Sequence, residues 1–315
     1  MELRTLGNTG LQVSRLCFGT LTLGPLQAGL TVEEGGELLA YALSRGINFF
    51  DTAQLYRTYP YLREAMVRSG RRDLIISTKT YAYTRQLAVE AVEEARRELD
   101  RDYLDIFLLH EQESIHTLRG HQEALDYLYQ CKARGIIRAV GLSTHAVAGV
   151  RGAIAKGLDV VFPMMNVAGL GLIDGTRQDM EAAVQDAHRA GIGVFAMKAL
   201  GGGNLHRRVP ECFDYILGLP TVDSVAVGMQ SADEVDYNLG FFLNRPADEA
   251  LRQRLAAKER RLLIEDWCER CGACVDRCGQ KALSMGPDRA VCDHTKCVLC
   301  GYCSTVCPQW CIKVI

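Results

Sequence analysis

From Arg15 to about Gly228 the apolar residues fall into short continuous runs: RLCFGT, GINFFDTA, DLIISTKT, YLDIFLLH, IIRAVGLS, LDVVFPMM, GIGVFAMKAL and VDSVAVGM. Runs of this length, rich in Val, Ile, Leu and Phe, fit parallel strands buried on both faces. Between them the apolar positions shift to helical spacing. In Thr84–Arg101, Leu87, Ala91, Ala95 and Leu99 share one face, with Glu93, Glu94, Arg96 and Arg97 around the rest. Val147, Val150 and Ile154 do the same in Ala146–Gly157, as do Val235, Leu239 and Phe242 in Ser231–Leu243. Eight strands alternating with helices, at roughly thirty residues per unit, predict an α/β fold of the (β/α)8 barrel type. A doubly wound open sheet is the competing arrangement. The strand count and the lack of a G-x-G-x-x-G after the first strand favour the barrel. The opening LRTLGNTGLQVS reads as a hairpin closing the bottom of the barrel, with N-T-G as turn residues.

The pattern changes after the eighth strand and its helix. Asn244-Arg245-Pro246 interrupts the helical spacing, and Ala247–Leu263 reads as a charged helix whose KERR run is a solvated face. The expected organisation is a barrel over 1–243, a helical linker over 244–263 and a cysteine-rich domain over 264–315. The formal charge of -2 gives no global field to gather nucleic acid or anionic lipid. The longest near-apolar stretch, Val160–Ile173, is broken by Pro163 and Asn166 and falls short of a ~20-residue membrane span. The opening MELRTLGNTG has no apolar signal-peptide core, so a cytoplasmic protein without nucleic-acid or membrane partners is expected.

Of 13 cysteines, ten lie between Cys268 and Cys311. An odd count crowded into one end of a chain not expected to be secreted points to metal rather than disulfides. Cys268-x2-Cys271-x2-Cys274-x3-Cys278 is followed by Cys297-x2-Cys300-x2-Cys303-x3-Cys307-Pro308, an internal repeat. Three cysteines at every third position can converge on one iron–sulfur cubane, the fourth ligand coming from the other half. One [4Fe-4S] cluster would take Cys268, Cys271, Cys274 and Cys307; the other would take Cys297, Cys300, Cys303 and Cys278. Zinc is the alternative, but it would leave the third cysteine of each run and the x3-Cys idle. Residues 264–315 resemble a bacterial two-cluster ferredoxin, with Gly279 where that family usually has proline. Cys17, Cys131, Cys212, Cys292 and Cys311 fall outside the motif and read as small buried hydrophobes.

In a barrel the chemistry sits at the C-terminal ends of the strands. Asp51 ends strand two, with Tyr56 in the following loop; Lys79 ends strand three and His110 strand four. Any one of them alone could be a cap, a surface partner or a structural histidine. Together they suggest a proton donor. A phenol is too weak an acid to protonate a carbonyl oxygen readily, and an adjacent ammonium, held charged by Asp51, would lower its pKa. His110 would position the carbonyl oxygen.

Residues 1–243 resemble the aldo-keto reductase family, at LGNTGLQVS, the D-T-A-x-x-Y run Asp51–Tyr56, Lys79, His110 and Gly141-Leu142-Ser143. The resemblance implies that Asp51, Tyr56, Lys79 and His110 form a catalytic tetrad and that NAD(P)H lies across the barrel mouth. Ser143 is kept among the nicotinamide contacts, while Thr144, Phe162 and Met197 stand where the family usually has Asn, Gln and Tyr. Asn166 is a candidate for the carboxamide. Gly201, Gly202 and Gly203 are candidates for phosphate, a tight turn being the plain alternative. Gly228, Ser231, Glu234 and Asn238 match the adenosine stretch. No base lies between Gly228 and Asn238, and Asp233, Glu234 and Asp236 would repel a 2′-phosphate, which argues against NADP. The family's segment after the eighth helix folds over the mouth, so the cysteine domain is expected there, closing the pocket or exchanging electrons with it. The expected reaction is reduction of a small-molecule carbonyl, or oxidation of an alcohol. The alternative is a cluster-driven reductase or electron-transfer protein fed by an external ferredoxin or flavoprotein.

Overall fold

The computed structural model describes residues 1–245 and 248–315. Eight parallel strands close into a barrel: Leu16–Gly19, Phe49–Asp51, Ile75–Thr80, Leu104–Leu109, Ile137–Thr144, Val160–Pro163, Gly193–Ala196 and Ser224–Gly228. Closure is made by the last strand against the first, with Ala226 opposite Cys17 and Gly228 opposite Gly19. The open-sheet alternative is therefore excluded. Every predicted run supplies one of these strands, because each faces helices outside and packed side chains inside and so can be apolar throughout.

Two apolar layers result. One lies between strands and helices, and includes Leu39, Ala91, Leu128, Val150, Val184 and Leu239. The other fills the barrel itself. Leu6, Leu11 and Val13 of the N-terminal hairpin enter from below, where Leu3–Thr5 pairs antiparallel with Gln12–Ser14. Phe49, Phe162 and Phe195 occupy the middle, the last two stacked at 3.9 Å. Met164, Met197 and, from far along the chain, Trp310 fill the top.

Local chemistry sets the helix limits. Thr84 accepts a hydrogen bond from the Leu87 amide and starts the helix Arg85–Leu99, which ends where Asp100 turns left-handed. Its buried face is Ala88, Ala91, Val92, Ala95 and Leu99. Leu87, assigned to that face from spacing, is instead 39% exposed. The small alanines let the helix approach the strands, and the stripe runs one position later than the leucine implied.

The linker also differs from expectation. Only Glu249–Ala256 is helical, capped by the Asp248 side chain on the Leu251 amide. Leu262–Ile264 is a strand, paired antiparallel with Ile312–Val314 near the end of the chain. A helix through Leu263 fails because those apolar residues are drawn into a sheet by a segment fifty residues away, which local periodicity cannot register. The break at Pro246 and the expected helix start at Ala247 lie outside the described residues. The rest of the tail contains the short helix Ala273–Arg277 and the antiparallel pair Leu283–Met285 with Ala290–Cys292. Among the described residues no helix is long and apolar enough to cross a membrane.

Phe195 stacks on Phe162 and tilts against Phe49 at 5.0 Å, so it anchors the barrel's inner layer. Phe195→Ala is expected to cost about 3–5 kcal/mol. Urea unfolding would read this as a lower midpoint at unchanged slope.

Candidate active site at the barrel mouth

Asp51 and Lys79 end neighbouring strands and meet in the barrel's upper layer, at 4% and 1% exposure. The Lys79 ammonium donates to Asp51 Oδ2 at 2.7 Å, to Asp51 Oδ1 at 2.9 Å and to the Thr52 carbonyl at 2.5 Å. All three of its donors are thus committed. Burial pulls both groups toward neutrality, raising Asp51 and lowering Lys79, while their mutual attraction and hydrogen bonding hold the charged pair.

Tyr56 ends the 3-10 turn Gln54–Tyr56, which Arg57 closes in a left-handed conformation. The Lys79 Nζ lies 4.7 Å from the centre of the Tyr56 ring, against its face. His110 presents its ring edgewise to Tyr56 at 5.8 Å and stacks on Tyr81 at 4.3 Å. The four expected residues therefore share one wall of the mouth. The expected effect of the lysine on the phenol is corrected. Burial, followed by Asp51, Glu111 and Tyr81, pushes the Tyr56 hydroxyl well above the usual phenol range. With its donors spent on Asp51 and Thr52, Lys79 offers no hydrogen bond to that hydroxyl, and the carboxylate it serves repels a phenolate.

Around this group is a second set that the sequence reading passed over. Lys198, just past the seventh strand, contacts His145 Nε2 at 2.9 Å, and His145 lies 3.8 Å from Glu111. The Tyr81 hydroxyl donates to Glu111 at 2.6 Å. Burial brings Lys198 down to about 8. Burial first, then neighbouring lysines, pushes His110 and His145 well below the ordinary histidine range, so both rings are neutral. The Nδ1 of His110 is buried without a partner among the described residues. Glu111, Lys198 and Trp310 all adopt positive φ, a strained backbone for residues with side chains. Lys198 sat inside an apolar run, GIGVFAMKAL, and that interruption was the available signal.

The tail closes over this wall. The Gly202 carbonyl accepts the Val314 amide, Asn204 donates to the Ile312 carbonyl, and Arg207 donates to the Val298 carbonyl. Gly203 sits at φ 82°, where a Cβ would collide with the Val314 carbonyl. A Cβ on Gly171 would likewise meet the Trp310 ring, which fills the top of the barrel. The expected position of the cysteine region, over the mouth, is what these contacts describe. Between barrel and tail remains a cavity of about 680 Å³, reaching from Asp51 and Tyr56 past Gly228 and Asn238 to Lys258 and Arg260. Its size suits a cofactor or drug-sized ligand.

The sequence model of the aldo/keto reductase family matches residues 15–211. The chain belongs to that family. It is 26% identical over 286 residues to L-galactose dehydrogenase of Arabidopsis thaliana, covering 76% of this chain and 87% of that one. With the aldo-keto reductase YhdN of Bacillus subtilis it shares 30% identity over 162 residues, 47% of this chain and 48% of that one. A crystal structure of a putative aldo-keto reductase from Pseudomonas aeruginosa superposes with a TM-score of 0.65 at 25% identity, covering 76% of this chain and 93% of that one. The protein is thus an aldo/keto reductase, an oxidoreductase on a (β/α)8 barrel. The family match stops short of the cysteine-rich tail.

Several residues expected at the cofactor of this aldo/keto reductase are otherwise engaged. Asn166 is buried off the cavity wall, its amide donating to the Leu170 carbonyl and accepting from the Leu170 N–H, both at 2.9 Å. Thr144 accepts from the Ala146 amide and turns toward the following helix. Ser143 accepts from the Glu111 amide. The Gly201 amide bonds to Lys198, so the glycine run is a turn built against the tail, with Gly202 and Gly203 on the cavity wall. Ser231 caps the helix Ala232–Phe242 on the Glu234 amide. Gly228, Glu234 and Asn238 do line the cavity.

The argument from acidic repulsion is also corrected. Asp233 is paired with Arg254, Glu234 with Lys258 at 2.6 Å, and Asp236 with Arg45 at 3.0 Å. The bases come from other segments, two of them from the linker, so a window over Gly228–Asn238 could not reveal them. Lys258 and Arg260 of the KERR run, both half-buried, line the cavity, while Glu259 and Arg261 are exposed to solvent as expected.

In the tail, Cys268, Cys271, Cys274 and Cys307 line one small cavity, joined by Cys311. Cys278, Cys297, Cys300 and Cys303 line another. Cys311 is buried in the tail's apolar cluster, its sulfur 3.4 Å from that of Cys307, while Cys292 is half-buried. Cys17, Cys131 and Cys212 are buried in the barrel. Among the described residues no three His, Cys, Asp or Glu side chains gather as they would around a single metal ion.

The neutral His110 and His145 give a pH dependence with a definite sign. Each has a folded pKa below its unfolded value near 6.5, so the unfolded chain takes up protons that the folded one refuses. Stability should fall as the pH drops from about 6.5 to 5, by up to about 1.4 kcal/mol per pH unit for each ring. Chemical denaturation across that range would show it, with a smaller slope in His110→Gln; an equal slope would contradict the buried neutral ring.

Proposed function

We propose that this aldo/keto reductase reduces a small-molecule carbonyl with a nicotinamide cofactor, Tyr56 delivering the proton. The observation that carries this reading is that Asp51 and Tyr56 line the 680 Å³ cavity, with Lys79 paired to Asp51 against the face of the Tyr56 ring and His110 edgewise to that ring. The cavity fits such a cofactor in size and in its cationic lining, which includes Lys198, Arg207, Arg252 and Arg260. A reduced nicotinamide supplies, when bound, a hydride for a carbonyl carbon.

The chain's own part is proton delivery and orientation. The Tyr56 hydroxyl, held fully protonated by its burial, gives its proton to the carbonyl oxygen as that oxygen becomes alkoxide-like, a base strong enough to take it. His110, neutral and with Nδ1 unpartnered, can donate to the same oxygen and orient it. The ion pair fixes the floor beneath the Tyr56 ring and places positive charge near the developing oxyanion. Trp310 and the end of the chain exclude water from above.

We also propose that the tail holds two [4Fe-4S] clusters, on Cys268, Cys271, Cys274 and Cys307 and on Cys297, Cys300, Cys303 and Cys278. The division of these eight cysteines between two cavities supports the crossed ligand sets. A cubane is larger than one ion and each cysteine takes a different iron, so its thiols surround a space rather than converge on a point. Such clusters supply one-electron transfer or cross-linking of the fold. The tail residues 264–315, with the strand Leu262–Ile264, would then be one domain docked on the barrel 1–243.

Tyr56→Phe should lower carbonyl reduction by about 10²–10⁴-fold while leaving nicotinamide affinity and visible absorbance unchanged. Cys274→Ser, purified without oxygen, should keep about half the iron. Full iron content in that variant would break the ligand assignment, and undiminished turnover in the first would remove Tyr56 from its role.

A further inference from the structure

Two ammonium groups on the cavity wall stand apart from the basic linker segment. Lys198 follows Met197 just past the seventh strand, and Lys313 lies on the tail strand Ile312–Val314. One glycine turn brings them to the same region. The Lys198 carbonyl accepts the Gly201 amide at 2.8 Å, and a Cβ on the next residue, Gly202, would lie 3.8 Å from Lys313 Nζ. Lys313 is only 6% exposed, its ammonium 4.7 Å from the centre of the Trp310 ring. An ammonium has three donors. Lys198 gives one to His145 Nε2 and Lys313 gives one to the Trp310 carbonyl, and among the described residues neither is paired with a carboxylate. Glu111 and Glu265 act on Lys198 only from beyond ion-pair distance, and Asp51 on the cavity wall is committed to Lys79.

Burial lowers both lysines, and the charge of Lys198 lowers Lys313 further. Two like charges withdrawn from water without a counter-charge are a costly arrangement, which an anion between them relieves. Lys198 is moreover held at φ 59°, a strained backbone for a residue with a side chain. The same cavity is lined by Phe162, Met197 and Leu200, which suit a hydrocarbon body, and by Tyr56. We propose that Lys198 and Lys313 form a subsite for a carboxylate on the substrate, so that this enzyme acts on aldehydes or ketones that carry an acid group. The inference rests on the carbonyl reduction proposed above and names its substrate class. The acid group is an anchor and is unchanged by the reaction. One of its two holders comes from the appended tail, so the barrel alone has half the subsite. A cofactor phosphate shares this anion chemistry, and the test separates the two.

The full-length protein would be assayed, with NADH and with NADPH, on two matched pairs: 4-oxobutanoate against butanal, and 2-oxobutanoate against butan-2-one. In at least one pair the acid should be favoured by about tenfold or more in kcat/KM, mainly through KM, as charge-assisted hydrogen bonds imply. Lys198→Met and Lys313→Met should each bring that ratio toward one, while Lys198→Arg should keep most of it. Calorimetry with the product hydroxy acids and the matched alcohols, at equal ionic strength, reads the subsite without turnover and should show the same order. If the lysines hold a cofactor phosphate instead, Lys198→Met would weaken turnover of acid and neutral substrates alike and raise KM for the dinucleotide. That unchanged ratio would overturn the proposal, as would a wild type with no preference for the acid in either pair. Should no carbonyl compound be reduced while the hydroxy acids still bind in a lysine-dependent way, the anion subsite would survive and the reaction proposed above would not.

Discussion

The buried pair of Lys79 and Asp51 is the constraint around which the mouth is organised. Two charges taken out of water at the end of adjacent strands are tolerable only with close geometry and every donor satisfied. The ammonium meets this by bonding to both carboxylate oxygens and the Thr52 carbonyl. That saturation has consequences for its neighbours. The ammonium acts on Tyr56 through the ring face and not through the hydroxyl, and its charge helps keep the His110 ring neutral. The proton-handling groups are therefore set by a pair that does not itself give up a proton.

The second constraint comes from the far end of the chain. Val314 and Ile312 bond to Gly202 and Asn204, and Trp310 enters the apolar layer inside the barrel. Trp310 lies between Cys307 and Cys311, and its carbonyl accepts from the buried Lys313 ammonium. The residue that plugs the mouth is thus three positions from a proposed cluster ligand. Whatever orders the cysteines also orders the roof of the cavity.

The fold was legible because strands buried on both sides leave an unbroken apolar signature, and eight of them leave few topologies. The mouth residues Asp51, Lys79 and His110 were legible because polar side chains end apolar runs there. Lys198 broke a run in the same way but was absorbed into it. What local reading could not supply was charge arriving from a distance. It took Asp233, Glu234 and Asp236 as a repelling surface, since Arg254 and Lys258 are more than twenty residues away in sequence and Arg45 nearly two hundred. It extended a helix through Leu263 because the partner strand is the last one in the chain. In both cases tertiary pairing outweighed the local pattern.

These facts tie the barrel and the appended chain together around one cavity. The cavity has a barrel wall, carrying Asp51, Tyr56, Met197 and Gly228, and a wall from the appended chain, carrying Lys258, Arg260, Lys313 and Val314. Neither wall encloses a ligand alone. The strand Leu262–Ile264 follows the basic segment directly and is held by Ile312–Val314, so the cations are positioned only while the tail is folded. If iron–sulfur clusters order the cysteine loops, their loss loosens that strand pair and with it the cationic wall. Cluster integrity and cofactor affinity are then coupled through the backbone, whether or not an electron ever passes between them. The coupling has a sign: by linkage, a ligand that binds both walls must stabilise the tail by the same free energy that the ordered tail contributes to binding it.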